Sequence, residues 1–565
     1  MSDFKNVPLE HLADFVRAKY RAEFTQAVAD GRSLPFTLPY GILGAFIVPT
    51  LWLAIPHLHS QWMRGMQWLV VAFVIVFNIH VAQDVSSSNM AFAYASGLMA
   101  GWGTLSTMNI LVWNDAQKDA ARIMRRPKVA KADRNDGDRH AFNVSSAQDQ
   151  LRHRKHDTAT SRKAETAQVA TQVEYEYVWQ PFPIDGTFLE RLNWAFDLMT
   201  DLRFDSLMTN FNLAGWNWAP SILPRPKVPS SNGIPYGTPV DIASIPVSTE
   251  SGYRLCATES EFLWGRIGTI ATMYIILDFL AVTMTSDPYF IVGSEYASLM
   301  NLDNLPHYLK RDDELQPFEQ YLMLEALYVY RQVSCVVAVA AAISLFLNIN
   351  DLFQYYVFSY FFPSRGELWQ QPPTFGSITP TFVRGLAGLW GSTWHQSFRV
   401  PFAAPAKWLL RRGYIKKGTP VAGLTLLLVS FMQSGLLHAS GSASSMGPGS
   451  IWRTPIFFML QALGIIIQVG GSFALPKYLP SAIRPSHDAC YAINFVFQML
   501  WLHATGSLFT MDLSDAGLWL LEPVPFSFFR MVGYGFPHDN WWRWDGHYMP
   551  RWYTAKNWWQ SGIAL

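Results

Sequence analysis

Charge is scarce in this sequence. Lys, Arg, Asp and Glu make up 15% of its 565 residues, whereas soluble domains carry roughly 25%. A globule of this size could not be coated with so little, and half of the residues are hydrophobic. The chain reads as an integral membrane protein. Its net charge of +1 leaves no sustained basic face, which excludes a nucleic-acid partner. Cysteine is almost absent: Cys256, Cys335 and Cys490 are far apart and form neither a CxxC pair nor a disulfide framework, so thiol chemistry and a cysteine metal site are excluded. There are no HxxHH boxes, no P-loop and no GxGxxG fingerprint. The HxxxD spacing of His80 and Asp84 ends an apolar run and has no partner motif.

What is present is a series of apolar segments near the length of about 20 residues needed to cross a bilayer. They run near 38–56, 66–82, 90–113, 262–284, 332–348, 419–437, 455–475 and 493–509. The expected fold is all-α and polytopic, with about eight transmembrane helices. Charged residues throughout the first forty positions, and no small-residue cleavage pattern, make the first run a retained span rather than a secretory signal. Three regions result: 1–113 with three spans, a polar loop over 114–257, and a membrane region over 258–565.

The stretch 114–165 holds thirteen Lys/Arg against eight Asp/Glu, which places the polar loop in the cytosol by the positive-inside tendency. Within it, "TFLERLNWAFDLMTDLRFD" sets Leu189, Leu192, Phe196, Met199 and Leu202 on one helical stripe, opposite Glu190, Arg191, Asn193, Asp197, Asp201 and Arg203. Thr187 and Glu190 have capping-box spacing. This amphipathic helix lies on the membrane surface or packs on the protein's own cytosolic side. A proline-rich stretch over 351–418 ends in "RRGYIKK", a second cytosolic marker, and the tryptophan-dense tail from Trp541 suits an interfacial belt.

Two histidines flank the basic cluster: His395 in "GLWGSTWHQSF", and His438 at the end of the apolar run in "FMQSGLLHAS". A polar ring at such a place needs a partner or a chemical role. Asp278, inside the fourth span, raises the same question, and a structural partner on a neighbouring helix answers it as well as function does. If the sixth span starts at Pro420, His438 lies about 27 Å along it at about 1.5 Å per residue. The two rings then meet if the helix is tilted, if it starts outside the membrane, or if the His395 segment dips inward; the last is favoured, because polar backbone at depth is tolerated where it lines a cavity.

"LWGSTWHQ" resembles the FWGxxWH signature of wax-synthase-like proteins in the membrane-bound O-acyltransferase superfamily, and "SGLLHASG" resembles their histidine-bearing apolar helix. "ERLNWAFDLMTDLRFD" followed by "GWNW" resembles their RLxWAxDL and GWNW stretches, in the same order. Many members carry arginine where this chain has Ser392 and Thr393. The resemblance implies acyl transfer from acyl-CoA, a co-substrate rather than a bound cofactor, to a hydrophobic alcohol, with no metal. It makes His438 the general base and His395 the second active-site polar group. Trp390, Trp394, Gln396 and Arg399 become the acyl-donor residues, whereas Arg411, Arg412, Lys416 and Lys417, and by default Arg399 too, read as a solvated basic edge.

The chemistry stands beside the resemblance. An alcohol is a poor nucleophile near neutral pH, so a neutral imidazole must take its proton during attack on the thioester, and water must be kept out. Among such relatives, fungal members acetylate terpenoids and other secondary metabolites from acetyl-CoA, and plant members make wax esters; the aromatic-rich character here favours the fungal pattern, in the endoplasmic reticulum. A wax-ester synthase is the alternative, and a transporter, which would call for internal repeats and paired intramembrane charges, is the rival of another class. The oligomeric state is not legible. Under this topology the Asn143-Val144-Ser145 sequon faces the cytosol and stays unmodified. Glycosidase treatment of protein from a eukaryotic host should leave its mobility unchanged, and a shift abolished by Asn143→Gln would contradict the assignment.

Overall fold

The computed structural model describes residues 7–128, 175–200, 207–209, 225–226, 235–249, 252–293, 316–447, 449–478, 480 and 485–565. The Asn143 sequon, Asp201, Leu202, Arg203 and the "GWNW" stretch lie outside these residues. The chain is predominantly helical, as its composition requires. The helices that build the site and its surroundings are α1 (Leu9–Ala29), α2 (Val48–Ala54), α3 (Gln61–Asp84), α4 (Met90–Thr107), α5 (Phe188–Thr200), α6 (Glu259–Met284), α7 (Pro317–Tyr356), α8 (Arg399–Arg411), α9 (Pro420–Ser444), α10 (Arg453–Tyr478), α11 (His487–Thr505) and α12 (Ser507–Asp515).

Among the described residues five helices are long and apolar enough to cross a membrane, namely α3, α6, α7, α9 and α10. The other three expected spans take different forms. The first is a π-helical turn, Leu43–Ile47, running into the short α2. The third is α4, continued by the π-helical turn Met108–Trp113, and it is rich in Gly, Ser and Thr rather than in large apolar side chains. The last divides at Gly506 into α11 and α12.

Capping chemistry fixes where the long helices begin. Ser60, Asn89, Thr258, Thr419 and Ser486 each accept a backbone N–H from the first turn of the adjoining helix, and α7 opens with a capping box of Gln316 and Glu319. At α9, Pro420 supplies the first helical position beside the Thr419 cap.

The polar loop is not featureless. Strands Ala120–Pro127, Tyr175–Pro181 and Leu207–Thr209 form an antiparallel sheet with the first strand in the middle. Ala121 and Ile123 bury one face with Trp179, Val240 and Trp369. Arg122, pointing the other way as strand alternation demands, reaches Asp197 of α5 at 2.9 Å. Arg365 meets the same carboxylate from the far side at 2.9 Å.

These bonds decide how α5 sits. Its capping box forms as expected: the Thr187 amide donates to Glu190 at 2.7 Å, and the Glu190 amide donates to Thr187 Oγ1 at 3.3 Å. The face turned to the protein, however, carries Trp194, Ala195, Asp197 and Leu198, packed on Trp52, Leu53 and Ala54 of α2, while Arg191 Nε donates to the Ala54 carbonyl. Leu189 and Phe196 of the expected apolar stripe are exposed. Two arginines draw Asp197 of the expected polar face inward, while Met199 of the stripe stays buried and Leu192 packs against the same core.

Intramembrane Asp278 is structural. Its carboxylate accepts the amides of Phe528 and Phe529, capping the short helix Phe528–Met531. At the same end of the molecule, Glu522 gathers Arg17 of α1, Arg530 and Arg543.

The central packing is the crossing of α4 with α9. A methyl group on Gly97 would stand 1.9 Å from the Ser440 carbonyl oxygen, and one on Gly101 would stand 2.3 Å from the Ser440 hydroxyl. Small residues spaced four apart let two backbones touch without a side chain between them. Ser444 locks the crossing, donating to the Ala93 carbonyl at 2.6 Å while its hydroxyl accepts the Gly97 amide at 3.1 Å. Gly97→Val must push the helices apart, and overpacking of this kind costs about 1–3 kcal/mol. A lowered thermal midpoint in detergent, together with lost transfer activity, is expected; an unchanged midpoint would contradict the close crossing.

Candidate active site

The segment after α7 forms no long helix. It turns through short helices Thr379–Arg384 and Leu386–Gly388 and a π-helical turn Leu389–Thr393, then returns as α8, which lies antiparallel against α9. Side chains of the long helices satisfy its irregular backbone. Gln468 of α10 accepts the Leu386 amide at 2.9 Å, Asn494 of α11 donates to the Val383 carbonyl at 3.0 Å, and Gln433 of α9 donates to the Phe402 carbonyl at 2.6 Å. Non-helical chain at depth requires this kind of support. The broken segment turns back toward α9 in the way the favoured inward dip requires.

The tip between α8 and α9 carries the basic cluster, with Arg412, Lys416 and Lys417 exposed. Arg411 bonds Asn114 at 2.9 Å, so this tip and the start of the polar loop share one end of the molecule. Arg399 departs from the solvated-edge expectation: it lies inside, donating to the Gly391 carbonyl and to Gln396 Oε1, both at 2.9 Å. Gln396 in turn donates to the Trp390 and Trp394 carbonyls at 3.0 and 2.7 Å. Both ends of its amide therefore hold the turn that presents His395. Ser392 accepts from Arg384 at 2.6 Å. Arg384 thus brings a positive charge to the position where many relatives carry arginine. The charges acting on Lys407 of α8 are Arg399 and Arg411, both positive. Arg384, Arg399, Lys407 and Arg411 consequently make a ladder of cations leading from the tip toward His395.

His438 lies on a flank of α9, between the exposed stripe of Val421, Leu424, Met432 and Leu436 and the buried one of Ala422, Leu437, Gly441 and Ser444. The imidazole is half-buried, stacked on Phe458 at 5.2 Å and edge-on to Phe509 at 5.3 Å. Phe458 touches Trp390 at 6.0 Å, Trp390 touches Trp394 at 5.9 Å, and Trp394 touches His395 at 5.6 Å. An aromatic wall therefore joins the two histidines.

Three groups beside His438 carry no sequence motif. Tyr94 Oη of α4 lies 3.2 Å from His438 Nδ1. Ser442, one turn beyond His438, donates to Asp512 Oδ2 of α12 at 2.7 Å. Among the described residues, Glu10, His11 and His538 form the group with metal-ligand composition; they lie at the surface on α1 and the 536–540 turn, apart from these histidines.

Residues 371–460, which span both histidines and the α8–α9 hairpin, match the membrane bound O-acyl transferase family. The chain is 24% identical over 297 residues to the O-Mevalon transferase yanI of Aspergillus niger, covering 51% of this chain and 54% of that protein. It is 26% identical over 168 residues to the acetyltransferase atnC of Arthrinium sp, covering 28% of this chain and 37% of the relative. With the O-Mevalon transferase macI of Penicillium terrestre it shares 33% identity over 115 residues, 18% of this chain and 26% of the relative. The chain thus matches about half the length of the first of these relatives and less of the others. No solved structure matches it. The stretch that contains both histidines is thus similar to the membrane bound O-acyl transferase family, and the chain as a whole, polytopic and helical, is similar over part of its length to transferases of fungi.

Proposed function

We propose that this protein transfers a short acyl group, acetyl in the first instance, from acyl-CoA to a hydroxyl of a hydrophobic small molecule such as a terpenoid, in the endoplasmic-reticulum membrane. The observation that carries the reading is the single aromatic wall, Trp394, Trp390 and Phe458, that joins His395 to His438 from segments forty-three residues apart.

His438 takes the hydroxyl proton as the oxygen attacks the thioester carbonyl carbon. His395 donates a hydrogen bond to the oxyanion that forms. Collapse of the tetrahedral intermediate breaks the carbon–sulfur bond, and the thiolate recovers the proton from His438, so the cycle closes with no other reagent. Aromatic rings on several sides of His438 restrict water, which would otherwise hydrolyse the thioester. The cation ladder suits a donor whose phosphates stay near the basic tip while its thioester reaches inward. Gln396 acts in this scheme by holding the turn rather than by touching the donor. A mevalonyl group is the second reading for the acyl moiety, favoured by the relatives named for it.

Purified protein, incubated with labelled acetyl-CoA and a panel of hydroxylated terpenoids and fatty alcohols, is expected to label a terpenoid. Labelling of fatty alcohols alone would favour a wax-ester synthase, and no transfer to any alcohol would refute the reading. His438→Ala is expected to abolish transfer, a loss of at least about 10²-fold, with an unaltered elution profile; full activity would remove His438 from the chemistry. Lys407→Ala should raise KM for acyl-CoA several-fold and leave kcat within about twofold. An unchanged KM would take the ladder out of donor binding.

A further inference from the structure

The α4–α9 crossing does more than pack two helices. It sets the Tyr94 hydroxyl 3.2 Å from His438 Nδ1, the nitrogen nearer the backbone, and so leaves Nε2 at the outer end of the ring. A methyl group on Gly441, the residue facing Tyr94 on α9, would stand 2.8 Å from the tyrosine ring, so Tyr94 is held by contact as well as by its hydroxyl. The Tyr94 hydroxyl also lies 3.5 Å from the His438 carbonyl oxygen, and the Ser442 hydroxyl lies 3.2 Å from the same oxygen. Ser442 donates to Asp512 Oδ2 at 2.7 Å, and no described residue bonds the other, buried oxygen of that carboxylate. Arg453, paired with Asp515, lies near enough to bring a positive charge to the surroundings of Asp512.

A buried anion at one end gives such a chain a direction. Ser442 spends its proton on the carboxylate, the stronger acceptor, and so leaves the His438 carbonyl to the Tyr94 hydroxyl. Tyr94 then turns its own proton toward that carbonyl and offers a lone pair to His438 Nδ1. The hydrogen bond made by one ring nitrogen sets the tautomer of the other.

We propose that Tyr94, backed by Ser442 and Asp512, is a positioning residue that holds the His438 proton on Nδ1 and leaves Nε2 as the free acceptor for the substrate hydroxyl. The inference rests on the reading of His438 as the general base. During transfer the Nε2 lone pair takes the alcohol proton while the new carbon–oxygen bond forms. The imidazolium then keeps its Nδ1–H bond to Tyr94 and returns the Nε2 proton to the departing thiolate. Without the relay, neutral His438 also populates the Nε2–H form, which cannot accept a proton at the end facing substrate.

The test pairs kinetics with a spectrum that needs no substrate. Nitrogen NMR of protein carrying isotope-labelled histidine in nanodiscs, with His438 assigned by its absence from the His438→Gln spectrum, reads which ring nitrogen is protonated. Wild type should show the Nδ1–H form and Tyr94→Phe a mixture. Tyr94→Phe and Asp512→Asn should also lower kcat by about 10-fold or more with KM for both substrates within about twofold, at unaltered elution and thermal midpoint. An Nε2–H tautomer in wild type, or an unchanged kcat in Tyr94→Phe, would overturn the proposal. Full transfer by His438→Gln would instead defeat the base assignment, and the spectrum would still report whether Tyr94 sets the tautomer.

Discussion

A polar ring placed eighteen residues along an apolar helix must be met by protein, because lipid offers no hydrogen bond and leaves the cost of burial unmet. The close α4–α9 crossing meets that requirement. Gly97 and Gly101 remove the side chains that would hold the helices apart, and the resulting contact delivers Tyr94 to His438. Ser444 and Ser86, bonded across the same region, keep it from sliding.

The second constraint concerns His395, which must reach the same depth from the opposite direction. A continuous helix would satisfy its own backbone but could not turn back in time. The chain instead uses broken helical pieces, and Gln468, Asn494 and Gln433 of the surrounding helices supply the hydrogen bonds these pieces lack. Gln396 and Arg399 then tie the exit turn, so the imidazole is presented by a braced loop rather than by a helix. Because α8 leads straight to the basic tip, one hairpin joins a polar entrance to an apolar interior. A thioester with a phosphate-bearing carrier is a ligand of the same polarity.

Much of this was legible from residue spacing. The apolar run before His438, the aromatic segment around His395 and the favoured inward dip all follow from length and hydropathy. The capping box at Thr187 and Glu190 is local chemistry and formed as its spacing implies. Other features were hidden for physical reasons. The α5 stripe marks an apolar face, but Arg122 and Arg365, distant in sequence, claim Asp197 and draw it inward. Tyr94 and Asp512 are single polar residues on helices far from the histidines, and no periodicity signals that they converge. Lys407, one basic residue in an alanine- and proline-rich helix, gains meaning once Arg399 and Arg411 are seen on either side of it. Of the eight expected spans, five are long apolar helices among the described residues, and hydropathy does not show that the others are built of shorter or broken pieces such as α2 and the α11–α12 pair.

The proposed transfer requires that a thioester entering past the basic tip come to rest between the two imidazoles. The most direct measurement is a cryo-electron microscopy structure with a thioether analogue of acetyl-CoA, which cannot be hydrolysed. Phosphate density is expected along Arg399 and Lys407, with the acetyl carbonyl within hydrogen-bond reach of His395 and facing Nε2 of His438. Density for the analogue on any other surface, with the aromatic wall closed between the histidines, would contradict that placement and the chemistry built on it.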